Sequence, residues 1–471
     1  MKSIDMILKN AVRNYNSANG NERFLGAEKM SVYIEVEQPD EALDSREQFR
    51  LLAAGLEKAM GGGKDLSRVA VISVDVTRLN GRSGDLVNYL YVQGVNIENI
   101  FLSLGSHEFH SRAVNRKMFG DIPESLFVNH NWNDVTEVGR FPRSYLEELC
   151  SRPLDFLPEE IPVELNTAFY EGMKSGRYTC CLSFGPVFPH EVVGFSNGVK
   201  NRWVGIGGRH FLDASHSMMG LGYGMENTLG VLDTPLRKLL NRATEDFIPD
   251  FDIIDVLTVL GADEDGFPCV KGFFMGDDFE THAKAAALSE KLNVDYLDEA
   301  AEDVVVYLDP DEYKSFWLGN KAVYRTGMGI ARGGRLHVLA PGVRSFSDSA
   351  EQGERERLIE EVGYKGLSHV RKCLESTPGL KDNLSVAAHC VHGSPLMDDG
   401  GDPLFEIIYY TNPNHMPRKR VENAGFKWGD YGQVEDVSLP DSQGFHDNFG
   451  IGRSKKVYFV PDPGMALLKV K

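Results

Sequence analysis

Three things are scarce in this sequence: paired cysteines, net positive charge and long apolar runs. Only six cysteines occur in 471 residues, namely Cys150, Cys180, Cys181, Cys269, Cys373 and Cys390, and no two form a C-x-x-C pair. This argues against a cysteine zinc site and against a disulfide framework. Small buried thiols in a reducing, cytoplasmic setting are expected instead. Lys plus Arg total 50 against 69 for Asp plus Glu, a net charge of −19. A broad basic surface is therefore absent, and no nucleic-acid partner is expected. No apolar stretch reaches the roughly 18 residues that a spanning helix needs, so no membrane partner is expected. The opening MKSIDMILKNAVRNYN lacks the apolar core of a signal peptide.

What is present is ordinary globular material. Hydrophobic residues make up 42% and charged residues 25%, which excludes a disordered or collagen-like chain. At roughly 150 residues per domain, the length suits two or three domains. Residues 44–60 place Phe49, Leu52, Ala53, Leu56 and Met60 at helical spacing. Val69–Val74 is an apolar run that ends in Asp75, Thr77 and Arg78. A helix over 83–92 and a strand over 97–104 follow, the latter ending at Gly105-Ser106-His107. Strand, polar tip, helix, strand is the pattern of a parallel sheet, whose ligands sit beyond the carboxyl ends of the strands. A strand is expected near 126–128, a strand pair over 253–260 and 269–274, and a helix over 278–291. A second α/β block begins near 300. It has strands at 304–308, 336–340, 405–411 and 457–460, a helix over 313–327 and one charged helix over 354–374.

The densest chemical signal is residues 188–216, which hold His190, Lys200, His210 and His216 among Gly194, Gly198, Gly205, Gly207 and Gly208. Glycines permit positive φ and close backbone approach, and imidazoles bind divalent metals. A glycine-rich surface turn with unrelated histidines has the same composition. The spacing does not fit a nucleotide-phosphate loop. Asp75 and Arg78 follow a buried strand, where a guanidinium can grip a carboxylate with two bonds or simply pair with its neighbour. His107 also stands at a strand tip, suited to proton transfer at neutral pH. His110, three residues on, shares a helical face with His107 if that segment is helical. Lys321 and Arg325 are four apart on the expected helix. They either share an anion or lie on a solvated face.

Taken together these motifs resemble the nickel-dependent lactate racemase family and its homologues, the 2-hydroxyacid racemases and epimerases that use a nickel-pincer nucleotide. The resemblance stands on Pro189-His190, Gly194-Phe195-Ser196-Asn197-Gly198, Lys200, Gly205-Ile206-Gly207-Gly208 and His216. Asp75-Val76-Thr77-Arg78, Gly105-Ser106-His107, Asn129-His130, and Gly276-Asp277 with His282 follow in family order. Asn197, Val204 and Leu318 depart from the family pattern, which puts a glycine, a proline and a glutamine there.

The resemblance implies two parallel-sheet-based α/β domains with the active site in the cleft between them. Residues 1–275 would form an N-terminal cofactor-binding domain completed by about 450–471, residues 276–299 a connecting helix, and 300–449 a C-terminal domain. It implies an isomerase that racemises or epimerises a 2-hydroxyacid by taking hydride from Cα and returning it. Lys200 would be the covalent anchor of the nickel-pincer nucleotide and His216 a nickel ligand. His107 and His190 would be the acid/base pair, and Arg78, Lys321 and Trp428 would face the substrate. Asp75, Gly194, Ser196 and Gly198 would contact the cofactor. The implied partners are the small 2-hydroxyacid and the cofactor-synthesis proteins, and a host without that pathway is expected to yield protein without the cofactor. No oligomeric state follows. Two other readings are a divalent-metal hydrolase using His107, His110, His190 and His216, and a non-catalytic binder of a nucleotide-like ligand.

Overall fold

The structure, a computed structural model, describes residues 31–105, 107–264, 267–347, 352–433, 457–464 and 466–471. Chain contacts divide it into two units. The first comprises the chain up to Tyr145, Glu159–Leu212 and Leu232–Asn293, and the second comprises Leu146–Pro158, Asp213–Val231 and Val294–Lys471.

The first unit is built on a seven-stranded sheet. Its strands in chain order are β1 (Val32–Glu37), β2 (Val69–Val74), β3 (Ile97–Ser103), β4 (Phe127–Asn129), β5 (Cys180–Val187), β6 (Ile253–Ala262) and β7 (Pro268–Gly276). They lie in the order β1-β7-β6-β5-β2-β3-β4. The pairs from β6 across to β4 are parallel, while β7 runs antiparallel to both β6 and β1. All residues of β2 and β5 are buried, as befits central parallel strands covered on both faces. From β2 the chain builds outward through β3 to β4, then returns to place β5 on the other side of β2. The β2/β5 junction is thus the topological switch point, where such sheets open a crevice at their carboxyl ends.

Helices cover this sheet where the sequence has apolar spacing. Helix Ser45–Gly61 buries Leu51, Leu52, Ala53, Leu56 and Ala59, and its cap Asp44 accepts from the Glu47 N–H. Helix Phe279–Asn293 buries Ala285, Ala286 and Leu288 against Leu257, Val259 and Phe274. That packing makes it part of the first unit, where a connecting helix had been expected. Below the sheet's surface, Arg202 Nη2 donates to Asp255 Oδ2 at 2.6 Å, with both side chains only 6% exposed.

The second unit has a five-stranded, wholly parallel sheet of β8 (Ala301–Tyr307), β9 (Ile330–Ala340), β10 (Glu406–Thr411), β11 (Lys427–Asp430) and β12 (Val457–Val460), ordered β11-β10-β9-β8-β12. Three sequence expectations are corrected here. The end of the chain completes this unit and not the first, because β12 pairs with β8 and Leu467–Val470 pairs with Val294–Leu297. The charged helix is two helices, Gln352–Val362 and Leu367–Ser376, broken where Gly363 and Gly366 adopt φ of 70° and 85°. The helix expected over 313–327 begins only at Phe316, capped by Ser315, and is split into the short turns Phe316–Gly319, Lys321–Thr326 and Gly327–Gly329.

The Arg202–Asp255 pair yields a stability prediction. Asp255→Ala would strand a buried guanidinium and is expected to cost about 3–5 kcal/mol. Urea denaturation of the two proteins measures it, and a loss below about 1 kcal/mol would show that the pair is not desolvated in solution.

Candidate active site

Asp75, His107 and the Phe188-Pro189-His190 segment extend from the carboxyl ends of β2, β3 and β5, three adjacent strands. Asp75 caps the short turn Val76–Gly81, and its Oδ1 accepts from the Thr77 N–H at 3.1 Å and the Thr77 hydroxyl at 2.5 Å. Its Oδ2 meets His107 Nδ1. Burial alone would raise the Asp75 pKa. The charge and hydrogen bond of His107, with Thr77 and Arg78, outweigh that and hold the carboxyl well below the usual carboxylate range. Arg78 does not pair with Asp75 by contact; its guanidinium lies 4.4 Å over the Phe188 ring, spanning the tips of β2 and β5. Ser106 lies outside the described residues.

His110 is placed differently from the sequence expectation. Residues 107–111 are not helical, since the helix Arg112–Phe119 starts only after its cap Ser111. His110 Nε2 accepts from the Val76 N–H at 3.1 Å and its Nδ1 lies 3.1 Å from Asn115 Oδ1. Both ring nitrogens are thereby engaged, Nε2 with the turn after β2 and Nδ1 with the helix Arg112–Phe119, which removes His110 from any metal-ligand set.

The segment 188–205 wraps back over the strand ends. Pro189–His190 pairs antiparallel with Gly194–Phe195, and His190 Nδ1 accepts from the Val192 N–H at 3.2 Å. The Ser196 hydroxyl donates to Pro186 O at 2.8 Å and accepts from the Phe188 N–H at 3.1 Å, so it is spent on the loop itself. Asn197 has φ of 61° and Gly198 63°, a left-handed conformation that asparagine tolerates second only to glycine. The Asn197 amide donates to Pro186 O and fills the space over Gly185, where a Cβ would come within 2.2 Å of Asn197 Oδ1. Arg237 donates to the carbonyls of Phe195 and Asn197, and His282 Nε2 donates to Ser196 O at 2.8 Å. Burial pushes His282 well below the ordinary histidine value, so it is neutral and able to make that one bond.

Lys200 precedes a π-helical turn, Asn201–Gly205. The turn is anchored by the Gly105 N–H donating to Gly205 O at 2.9 Å and Asn201 Nδ2 donating to Phe184 O at 3.3 Å. Gly205 itself lies against β3, where a Cβ would stand 1.7 Å from Ser103 Oγ. Desolvation is the main cause that lowers the Lys200 pKa to about 8; Arg78 and Arg237 add to it, while Glu191 and Asp75 oppose it. An amine so placed is a stronger nucleophile at neutral pH than a surface lysine. Cys180 and Cys181 lie within buried β5, and burial pushes the Cys180 thiol up to about 12, so they are packing residues and inert.

The remaining candidates lie in the second unit. His216, on helix Arg209–Ser217, has its Nδ1 3.2 Å from the Ser215 hydroxyl. Lys321 and Arg325 are both buried, which removes the solvated-face reading. Lys321 Nζ lies 5.4 Å over the Tyr313 ring and 3.8 Å from Glu312 Oε1. Trp428, on edge strand β11, donates from Nε1 to Thr411 Oγ1 at 3.1 Å. Thr411 and Tyr409 share one face of β10, and Tyr409 donates to Asn320 at 2.7 Å. Trp428 and the Lys321 turn therefore lie on the same side of that sheet.

The first unit's strand tips thus gather Asp75, Arg78, His107, His190 and Lys200 in the manner of a ligand site. Residues 36–222 match the family described as the lactate racemase N-terminal domain. Over that span the chain is similar to the lactate racemase N-terminal domain. No match is found among curated proteins. Among solved structures, one of a protein from Thermotoga maritima is similar with 22% identity and a TM-score of 0.73, covering 93% of this chain and 100% of that one. The lactate racemase apoprotein from Thermoanaerobacterium thermosaccharolyticum is similar with 15% identity and a TM-score of 0.62, covering 95% of this chain and 97% of that one. At these identities the likeness is one of fold.

The lactate racemase domain's chemistry can be compared with the donors in place. Among the described residues no group of three or more His, Cys, Asp or Glu side chains is arranged to hold a metal ion. A depressed lysine amine and single imidazoles are the available donors. Among the described residues no helix is long and apolar enough to cross a membrane.

Sequence reasoning missed Arg237, which acts across about 40 residues and carries no local motif, and Glu191, which stands beside His190 without a pattern to mark it; His282 was named with Gly276-Asp277, but its hold on Ser196 O was not foreseen. A reactivity prediction follows from Lys200. Its modification by an amine reagent, followed by peptide mass spectrometry, is expected to rise with pH through a midpoint near 8. A midpoint near the ordinary lysine value of roughly 10.4 would contradict the desolvated placement.

Proposed function

We propose that the protein is an isomerase that racemises or epimerises a 2-hydroxyacid, using a nickel-pincer nucleotide joined to Lys200. The observation that carries this reading is the placement of the Asp75–His107 pair, Arg78 and the turn that follows Lys200 about the carboxyl ends of β2, β3 and β5. When bound, the group supplies a hydride acceptor for the Cα hydrogen. The chain's own residues bind and manage protons. His107 takes the proton of the substrate hydroxyl, and His190 serves the opposite face. Arg78, held over Phe188, offers a planar guanidinium to the substrate carboxylate, and Lys321 carries the same role in the second unit. Gly194 and Gly198 supply backbone to the cofactor side of the loop, and Ser196 keeps that loop closed. His216 is the proposed nickel ligand, and Trp428 the proposed aromatic neighbour of the substrate. The proposal includes a cytoplasmic setting and delivery of the group by cofactor-synthesis proteins. A hydrolase built on His110 is disfavoured because both ring nitrogens of that residue are engaged.

Two measurements test it. Protein made together with the cofactor-synthesis proteins should gain mass on Lys200 and retain nickel, and Lys200→Ala should do neither; stoichiometric nickel and full activity in Lys200→Ala would refute the attachment. Over a panel of 2-hydroxyacids, His107→Gln and His190→Gln should each slow racemisation by roughly 10²–10⁴-fold with nickel content unchanged. Loss of nickel instead would make them ligands.

A further inference from the structure

The two histidines assigned to proton transfer do not sit in equivalent surroundings. His107 Nδ1 faces the Asp75 carboxylate, an acceptor without a proton to give. His190 Nδ1 faces the Val192 N–H, a donor, at 3.2 Å, while Glu191 Oε2 stands farther from the same atom at 3.5 Å. A neutral imidazole has one N–H and one lone pair, and the partner of one nitrogen decides what the other presents. Asp75 is itself fixed by two bonds from Thr77, and its backbone neighbour Val76 is held by His110. The carboxylate therefore cannot swing away from His107 without breaking its cap.

We propose that Asp75 is a positioning residue that holds neutral His107 as the Nδ1–H tautomer with Nε2 as the proton acceptor, whereas Val192 holds neutral His190 in the opposite tautomer. The use of this asymmetry rests on the racemase reading; the asymmetry itself does not. In the transfer, the substrate O–H bond breaks and an N–H bond forms at His107 Nε2. The resulting imidazolium is stabilised by the Asp75 carboxylate, which keeps no proton of its own. A neutral His190 of the stated tautomer presents an N–H at Nε2, and it serves the opposite face as the acid once Nδ1 has also gained a proton, for which the Glu191 carboxylate 3.5 Å away is the acceptor. Among the charged and titratable groups around His107 are Asp75, Arg78 and Lys200, which both act on Asp75, and His110, which burial keeps below the ordinary histidine value.

The test is nitrogen NMR of protein labelled in its histidine rings and free of cofactor, with His107→Gln and His190→Gln used only to assign signals. Recorded above both ring pKa values, the unmodified protein should show His107 as Nδ1–H and His190 as Nε2–H. In Asp75→Asn the side-chain amide can donate to Nδ1, so His107 should switch to Nε2–H and its pKa should fall by roughly 1–2 units. His190 should not change, and Asp75→Glu should restore the original tautomer. Finding His107 as Nε2–H in the unmodified protein, or no change in Asp75→Asn, would overturn the proposal. The first of these decides the matter even if the variant fails to fold. Confirmed tautomers with no racemisation of any 2-hydroxyacid would leave the positioning role standing and remove the racemase reading.

Discussion

Desolvation of the Lys200 amine is the constraint on which the rest of the first unit turns. Partial loss of water disfavours an ammonium, and here Arg78 and Arg237 add positive charge to its surroundings while Glu191 and Asp75 oppose them. The loop that holds it is correspondingly over-determined. Arg237 and His282 grip three of its carbonyls, Ser196 and Asn197 turn their side chains back on Pro186, and the following turn is tied to β3 through Gly105. These bonds are what allow a lysine to stay in an environment that disfavours its charge.

The sheet supplies the location. A parallel sheet points the polar residues that follow each strand to one edge. Because β5 returns beside β2, the tips that meet are those carrying Asp75, Arg78 and His190, with His107 one strand away. The site is thus a consequence of strand order, and residues far apart in the chain converge without any local signal.

Much of this was legible in the sequence for particular reasons. The apolar run 69–74, the helical spacing of 44–60 and the strand pair 253–260 and 269–274 are local patterns, and each forms within two residues of the bounds its pattern suggests. The crowded glycine and histidine segment drew attention to His190 and Lys200, though not to the strand ends over which their loop folds. The division of the chain was not legible, because it depends on pairing: β12 joins β8 across about 150 residues, and 146–158 and 213–231 leave one unit for the other. The role of Asp75 was likewise hidden. In sequence it stands three residues from Arg78, and only the fold shows that its partner is His107.

Gly185 and Asn197 show how such a loop can drift in composition while keeping its shape. The asparagine amide occupies room that exists only because position 185 has no side chain. A residue with a Cβ at 185 would evict that amide and would call for glycine at 197. The two positions are therefore expected to be inherited as a couple. A search pattern that insists on adjacent glycines before the lysine would pass over chains in which the missing side chain has moved to the neighbouring strand.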